Sequence, residues 1–218
     1  MSTPAHHLPE ELLLDYAAGS ASQPASLIAA CHITLCGPCT ARLSDMEAVG
    51  GAMLASAAGE ALRPGAVEAA LARLDDAAPE TAAPPPAQPA NCPPLPRPLL
   101  RLIEQAGGLR WAFLTPGVRA LALTTGPAST ITRLVRLKPG LEIPLHGHGD
   151  VEYTLIFSGA LEDAGGRFAR GDLCVRTAAD QHVQRVAVGE PCIALTVNEG
   201  PFLPLTVKGR LMKLLSGD

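Results

Sequence analysis

Aromatic residues are scarce: four Phe, two Tyr and one Trp make up 3% of the 218 residues. Any core must therefore be built mainly from Leu, Val, Ile and Ala, which dominate the 47% hydrophobic content. No apolar run approaches the roughly 20 residues that a membrane-crossing helix needs. The N-terminal MSTPAHHLPEELLLDYAAG has no basic region and soon turns acidic, unlike a secretory signal. The chain thus reads as cytoplasmic, where its six cysteines point to thiols, metal ligands or redox chemistry rather than a disulfide framework. Basic residues are few at one end: Met1 to Ala78 holds 3 Lys+Arg against 9 Asp+Glu, a net −6, whereas Leu99 to Asp218 stands at +2. The lack of a basic cluster argues against direct nucleic-acid binding. An acidic surface suits a basic protein partner instead.

Proline, by contrast, is abundant and concentrated. APETAAPPPAQPANCPPLPRP, from Ala78 to Pro98, has no apolar periodicity and favours extended conformations. It divides the chain into residues 1–78, a linker over 79–98, and residues 99–218. Ahead of the linker the apolar spacing is helical: Leu12 with Tyr16, Leu27 with Cys31 and Leu35, and a stripe of Val67, Leu71 and Leu74. Pro9, Pro24, Pro38 and Pro64 mark four helix starts. So small a helical unit gains from a metal staple. Beyond the linker the period becomes two, in ITRLVRLKPG, EYTLIFSGALED, HVQRVAVGE and IALTVNE. Many short strands broken by Gly and Pro predict a sandwich or barrel. The fold class is α + β in two parts.

HITLCGPC, His32 to Cys39, places one imidazole and two thiols on a short interval. On a continuous helix His32 and Cys36 share a face; Gly37 is expected to end that helix and Pro38 to open the next, bringing Cys39 into its first turn. Three such ligands leave one position of a zinc tetrahedron to fill. His6 or His7, both just ahead of the first helix, can supply it, and local spacing does not choose between them. The competing reading, a redox dithiol, lacks the βαβ context of thioredoxin-like motifs.

A second set lies in GLEIPLHGHGDVEYTLIFSG. His146 and His148, two apart on a strand, point to one side. Glu152 opens the following strand, Gly159 suits a turn, and His182 begins a later strand. The spacing of Gly140, His146, His148, Glu152 and Gly159 resembles the first cupin motif. Gly171-Asp172 and His182 fit the second, which departs in having Ala169-Arg170 where a Pro is usual and no Asn after the histidine. The resemblance implies a small β-barrel with a divalent metal, zinc or Fe(II), Mn(II) or Ni(II), on His146, His148, Glu152 and His182.

The two sets and the linker together resemble the ChrR-type zinc-dependent anti-sigma factors over nearly the whole chain. The register of the HH pair before Tyr16-Ala17-Ala18-Gly19 implies His7 as ligand, with His32, Cys36 and Cys39, for a structural zinc. The resemblance further implies a one-to-one complex with an extracytoplasmic-function sigma factor, a cupin sensor for singlet oxygen or a related oxidant, and no catalysis. Leu12, Tyr16, Val67, Leu71 and Leu74 are the candidate partner-facing residues. The alternative is a cupin dioxygenase with an accessory helical zinc domain. Of the other cysteines, Cys31 is expected in the core and Cys92 exposed in the linker. Cys174 and Cys192 are expected as small hydrophobes in strands, with a redox role near the barrel site as their alternative. Trp111 is expected at the barrel's entry.

Overall fold

Pro9 leads directly into the first helix, and Pro24 and Pro38 occupy the first turns of the next two, where a missing N–H costs nothing. The structure, a computed structural model, describes residues 3–75, 86–90, 92–126 and 130–216. The four expected helices are present: α1 (Glu10–Ala18), α2 (Gln23–Ile33), α3 (Gly37–Ser56) and α4 (Ala66–Asp75). Ser22 caps α2, its hydroxyl accepting the Ala25 N–H at 3.3 Å. A bend of 119° separates α2 from α3. Among the described residues no single helix is long and apolar enough to cross a membrane.

The second part is a cupin-like β-sandwich of two antiparallel sheets. One holds β1 (Ala112–Thr115), β2 (Val118–Leu123), β3 (Ile131–Leu137), β5 (Glu152–Ser158), β8 (Leu173–Arg176) and β10 (Cys192–Asn198), in the order β1-β2-β3-β10-β5-β8. The other holds β4 (Glu142–His148), β6 (Leu161–Asp163), β7 (Gly166–Phe168), β9 (Gln181–Val186) and β11 (Phe202–Pro204), in the order β11-β4-β9-β6-β7. A last helix, α6 (Val207–Ser216), rests on β1, β4 and β11. Gly159, between β5 and β6, has φ 66°, and a Cβ there would come within 2.8 Å of the Cys192 backbone. Only glycine suits that turn.

The six-stranded sheet is covered on both faces. Val118, Val135, Ile156 and Ala194 face the other sheet, packing with Leu161, Phe168 and Val186. Leu121, Leu134, Leu155 and Leu195 face the opposite way, into one cluster with Leu13 of α1 and Ile28 of α2. This explains the unbroken apolar runs of β5 and β10, which alternation alone does not predict: Thr154 to Phe157 and Cys192 to Leu195 are all buried. β9, covered on one side, alternates exposed and buried throughout.

The Pro-rich stretch is in part a packed segment. Residues 78–85 and 91 of it lie outside the described residues. Farther along, the Gln88 side chain brackets Leu95, donating to its carbonyl and accepting its N–H at 3.0 Å each. Arg170 donates to the Pro94 carbonyl at 3.0 Å. Cys92, expected to be exposed, is half-buried against the helix-facing core. A helix that the prolines obscure in the sequence follows, α5 (Arg97–Gln105), with Leu99, Leu100 and Ile103 buried in that same core. Trp111 also packs in that helix-facing core rather than at the barrel's entry. Cys31, Cys174 and Cys192 are buried as expected, and burial pushes all three thiols up to about 12. Such thiols are not nucleophilic thiolates at neutral pH.

Two candidate metal centres

At the α2–α3 bend the local geometry differs from a single continued helix. α2 ends at Ile33, and Cys36 is the N-cap of α3, in an extended conformation with φ −123° and ψ 99°. Gly37 therefore begins the second helix instead of ending the first. His32 and Cys36 still meet, because the Cys36 N–H donates to the His32 carbonyl at 3.0 Å and carries the chain one more turn. Cys39 stands in the first turn of α3, as expected. From the arm before α1, His7 Nδ1 lies 3.2 Å from Cys36 Sγ. One ligand atom from each of His7, His32, Cys36 and Cys39 lies within 4.8 Å of all the others. His6 turns away and packs its ring on Phe168, 4.3 Å between centroids.

His32 is fully buried, and neither ring nitrogen has a hydrogen-bond partner of normal geometry. Burial first, and His7 second, push its pKa down to about 4. Burial also raises the Cys39 thiol. A buried imidazole without partners is costly. A cation supplies the missing partner and at the same time favours the thiolate form of both cysteines.

The second group is assembled across strands. His146 and His148 come from β4, His182 from β9 directly opposite His146 in register, and Glu152 from the first position of β5. Their ligand atoms also lie within 4.8 Å of one another. His182 Nε2 is 3.1 Å from both His146 Nε2 and His148 Nε2. His146 Nδ1–H donates to the Pro144 carbonyl at 2.8 Å, and His182 Nδ1–H donates to Asp163 at 2.8 Å. Those donors leave a lone pair on each Nε2, so the two nitrogens face one another as acceptors. A shared cation relieves that opposition, and 3.1 Å falls in the range of about 3.0–3.4 Å that separates neighbouring octahedral or tetrahedral ligands of an ion bound at about 2.1 Å. Burial pushes His146 and His148 down to about 4, keeping both imidazoles neutral. Burial raises Glu152 to about 7, against the opposing hydrogen bond from Asn198.

Residues 101–203 match the sequence model of the ChrR cupin-like domain family. Over 212 residues the chain is 36% identical to the anti-sigma-E factor ChrR of Cereibacter sphaeroides, covering 93% of this chain and 96% of that one. This chain belongs to the ChrR family of anti-sigma factors. The crystal structure of Rhodobacter sphaeroides SigE in complex with the anti-sigma ChrR superposes with a TM-score of 0.73 at 34% identity, covering 88% of this chain and 98% of that one. An RmlC-like cupin protein from Ralstonia eutropha overlaps more loosely, with a TM-score of 0.41 at 20% identity over 45% of this chain and 68% of that one.

In this ChrR-family chain the two centres are joined by a run of contacts that the sequence gives no means to foresee. Asp163, which orients His182, also binds Arg176 at 2.6 Å. Burial would raise the Asp163 carboxyl, but its bonds from His182 and Arg176 outweigh that and hold it low. The Arg176 guanidinium lies 5.6 Å from the centre of the Phe168 ring, and Phe168 carries His6 on it, next in sequence to His7. Beside this stack, Asp172 accepts the backbone N–H groups of Ala5 at 2.6 Å and His6 at 2.9 Å. Gly171 has φ 89°, and a Cβ there would meet Pro4 at 2.7 Å, so the arm's close approach depends on glycine. The Gly171-Asp172 pair that fits the second cupin motif is therefore also the seat of the N-terminal arm.

The candidate partner-facing residues divide. Val67, Leu71 and Leu74 of α4 are exposed by 52%, 57% and 70%. Val49, Met53, Leu54 and Leu62 are exposed nearby in sequence. Leu12 is a correction: it is buried in the core shared with the sheet, because the inner side of α1 faces α2 and α3. Tyr16 is half-buried against the same core.

Proposed function

We propose that this chain binds and inhibits an extracytoplasmic-function sigma factor as a one-to-one complex, acting as a cytoplasmic regulator without catalysis. The observation that carries this is similarity along almost the full length to ChrR, whose solved structure is a complex with SigE. The dioxygenase alternative explains the barrel half alone and leaves the helical half without a role.

In this reading residues 1–78 are the inhibitory part, 79–98 the connection and 99–218 the sensor. The exposed stripe of Val67, Leu71 and Leu74, with its neighbours on α3, supplies apolar contact area for the sigma factor. The net −6 of that part favours approach to a basic partner. A zinc ion held by His7, His32, Cys36 and Cys39 fixes the α2–α3 bend and supplies structural cross-linking. His146, His148, Glu152 and His182 hold a second divalent ion, zinc or another, whose environment responds to singlet oxygen or a related oxidant. A change there reaches the helices through Asp163, Arg176, Phe168 and His6.

The test is transcription from a sigma-dependent promoter with purified components. An equimolar amount of the full chain is expected to reduce transcription by the cognate sigma factor to background, with no effect on the housekeeping holoenzyme. Undiminished transcription at tenfold excess of the zinc-loaded chain refutes the assignment.

A further inference from the structure

Six buried side-chain nitrogen or oxygen atoms among the described residues have no hydrogen-bond partner: His6 Nδ1, both ring nitrogens of His32, His148 Nδ1, Thr115 Oγ1 and Gln184 Nε2. The first four have an account. His6 Nδ1 lies 3.5 Å from the Asp172 carboxylate, and His32 and His148 belong to the two centres. The remaining two line the same pocket, a space of about 140 Å³ between the sheets beneath α6. Thr115 comes from β1 and Gln184 from β9, and they are exposed by only 3% and 5%.

The rest of the lining is mostly apolar, with Val118, Val135, Ala194 and Phe202 among its walls. Its charged groups are engaged elsewhere: Glu152 faces His148 Nδ1 at 3.7 Å, and Lys213 donates to the Phe202 carbonyl at 2.8 Å. Packing alone would place aliphatic side chains here, since a buried donor without an acceptor is disfavoured. A small apolar pocket carrying a free amide donor and a free hydroxyl is instead the usual form of a small-molecule site. Its volume is close to the roughly 150 Å³ that accommodates a benzene-sized guest.

We infer that this pocket binds a small neutral organic molecule, about the size of a six-membered ring, whose one acceptor oxygen is held by Gln184 Nε2 and Thr115 Oγ1. The oxygen takes hydrogen bonds from the amide and the hydroxyl, and the hydrocarbon body displaces water from the apolar walls. His146 and Glu152 also line the space, so the guest lies beside the barrel centre. The inference concerns binding by the chain itself and does not rest on the sigma-factor reading.

The probes are cyclohexanone and methylenecyclohexane, near-isosteres that differ in the acceptor oxygen. Each is titrated into the full metal-loaded chain without any sigma factor, and binding is followed by ligand-observed and methyl NMR. Cyclohexanone is expected to bind saturably, with shifts in the methyls of Val118 and Val135. It should bind about three- to tenfold more tightly than methylenecyclohexane, the ratio that one or two net hydrogen bonds provide. Gln184→Leu and, independently, Thr115→Val should shrink that ratio while leaving the hydrocarbon's affinity within twofold. No saturable binding of cyclohexanone at millimolar concentration overturns the inference. Equal binding of both probes, or a ratio unchanged in both variants, overturns the role given to Gln184 and Thr115. Because inhibition of transcription is measured separately, failure here leaves the sigma-factor reading standing, and the reverse also holds.

Discussion

Removing the Asp172 carboxylate should loosen a candidate metal centre whose proposed ligands it does not hydrogen-bond. Asp172 holds the N-terminal arm through the N–H groups of Ala5 and His6, at 2.6 and 2.9 Å, and His7 is the next residue along. Hydrogen bonds to a charged acceptor contribute about 1.5–3 kcal/mol each. Both are only partly buried, so the lower end applies and the pair contributes about 3 kcal/mol. The His6–Phe168 contact adds about 1 kcal/mol and survives only if the arm stays seated. If the arm's seating is what pre-places His7, Asp172→Ala should weaken metal binding at the helical centre by about 30- to 150-fold, the equivalent of 2–3 kcal/mol. Cobalt substitution isolates that centre, because only its cysteines give thiolate-to-metal charge-transfer absorption. Titration against a chelator then reads its affinity while the barrel ion stays silent. An affinity within twofold of the unaltered chain refutes the reasoning, since His7 would then be placed by something other than the arm's seat. The pH dependence has a definite sign. Burial would raise the Asp172 carboxyl, but the N–H donors of Ala169, His6 and Ala5 outweigh it and hold the group below its usual range. Its contribution is thus fully present above about pH 4 and is lost only as pH falls through the lower folded value. The carboxyl's own titration should therefore leave seating unchanged between pH 5 and 8.

Cys36→Ser or Cys39→Ser should reduce metal content by one ion per chain and abolish inhibition of the sigma factor, measured by elemental analysis beside the transcription assay. His146→Ala or His182→Ala should leave inhibition intact while the response to singlet oxygen generated by a photosensitiser is lost; a normal response would remove the barrel centre from sensing. Leu71→Glu, on an exposed position of α4, should change unfolding free energy by less than about 0.5 kcal/mol, yet weaken sigma-factor binding at least tenfold in a titration. Leu13→Ala, fully buried, should cost about 2–5 kcal/mol in denaturant unfolding.

Both candidate ligand sets were legible in the sequence as groups that the fold brings together, because metal chemistry limits residue type and spacing so tightly. His146 and His148 share a strand face by period alone, and CGPC sits where a helix must break. Local spacing could not separate His6 from His7, since that depends on Phe168, more than 160 positions away, which draws the His6 ring to itself. Asp163 and Arg176 were invisible for the same reason: an acid and a base in separate strands carry no mark of a shared partner. The helix α5 was hidden by prolines at 96 and 98, which in a Pro-rich run favour extended conformations although a proline is welcome in a first helical turn. TLIF in β5 and CIAL in β10 do not alternate, and such runs belong to a strand buried on both sides. They announce that something covers the outer face of the barrel, and that cover is α1, α2 and α5.

That shared face limits how a signal can act. The helices and the six-stranded sheet contribute to one core, so full separation would expose Leu13, Leu27 and Ile28 on one side and Leu134, Leu155 and Leu195 on the other. At about 2 kcal/mol for each buried side chain this approaches 12 kcal/mol. If other helices kept half of that area covered, about 6 kcal/mol would remain, comparable to the whole stability of many domains. Lifting the N-terminal arm costs far less, about 3–4 kcal/mol from Asp172 and Phe168. A change at the barrel centre that turns His182 also disturbs Asp163, then Arg176, and so the ring on which His6 rests. The magnitudes rank the routes. Displacement of the arm, with His7 on it, lies within reach of a local event at the barrel, whereas parting the layers does not. Phe168→Leu, which keeps the arm's hydrogen bonds but removes both ring contacts, should therefore blunt the response to oxidant while leaving the resting complex with the sigma factor intact.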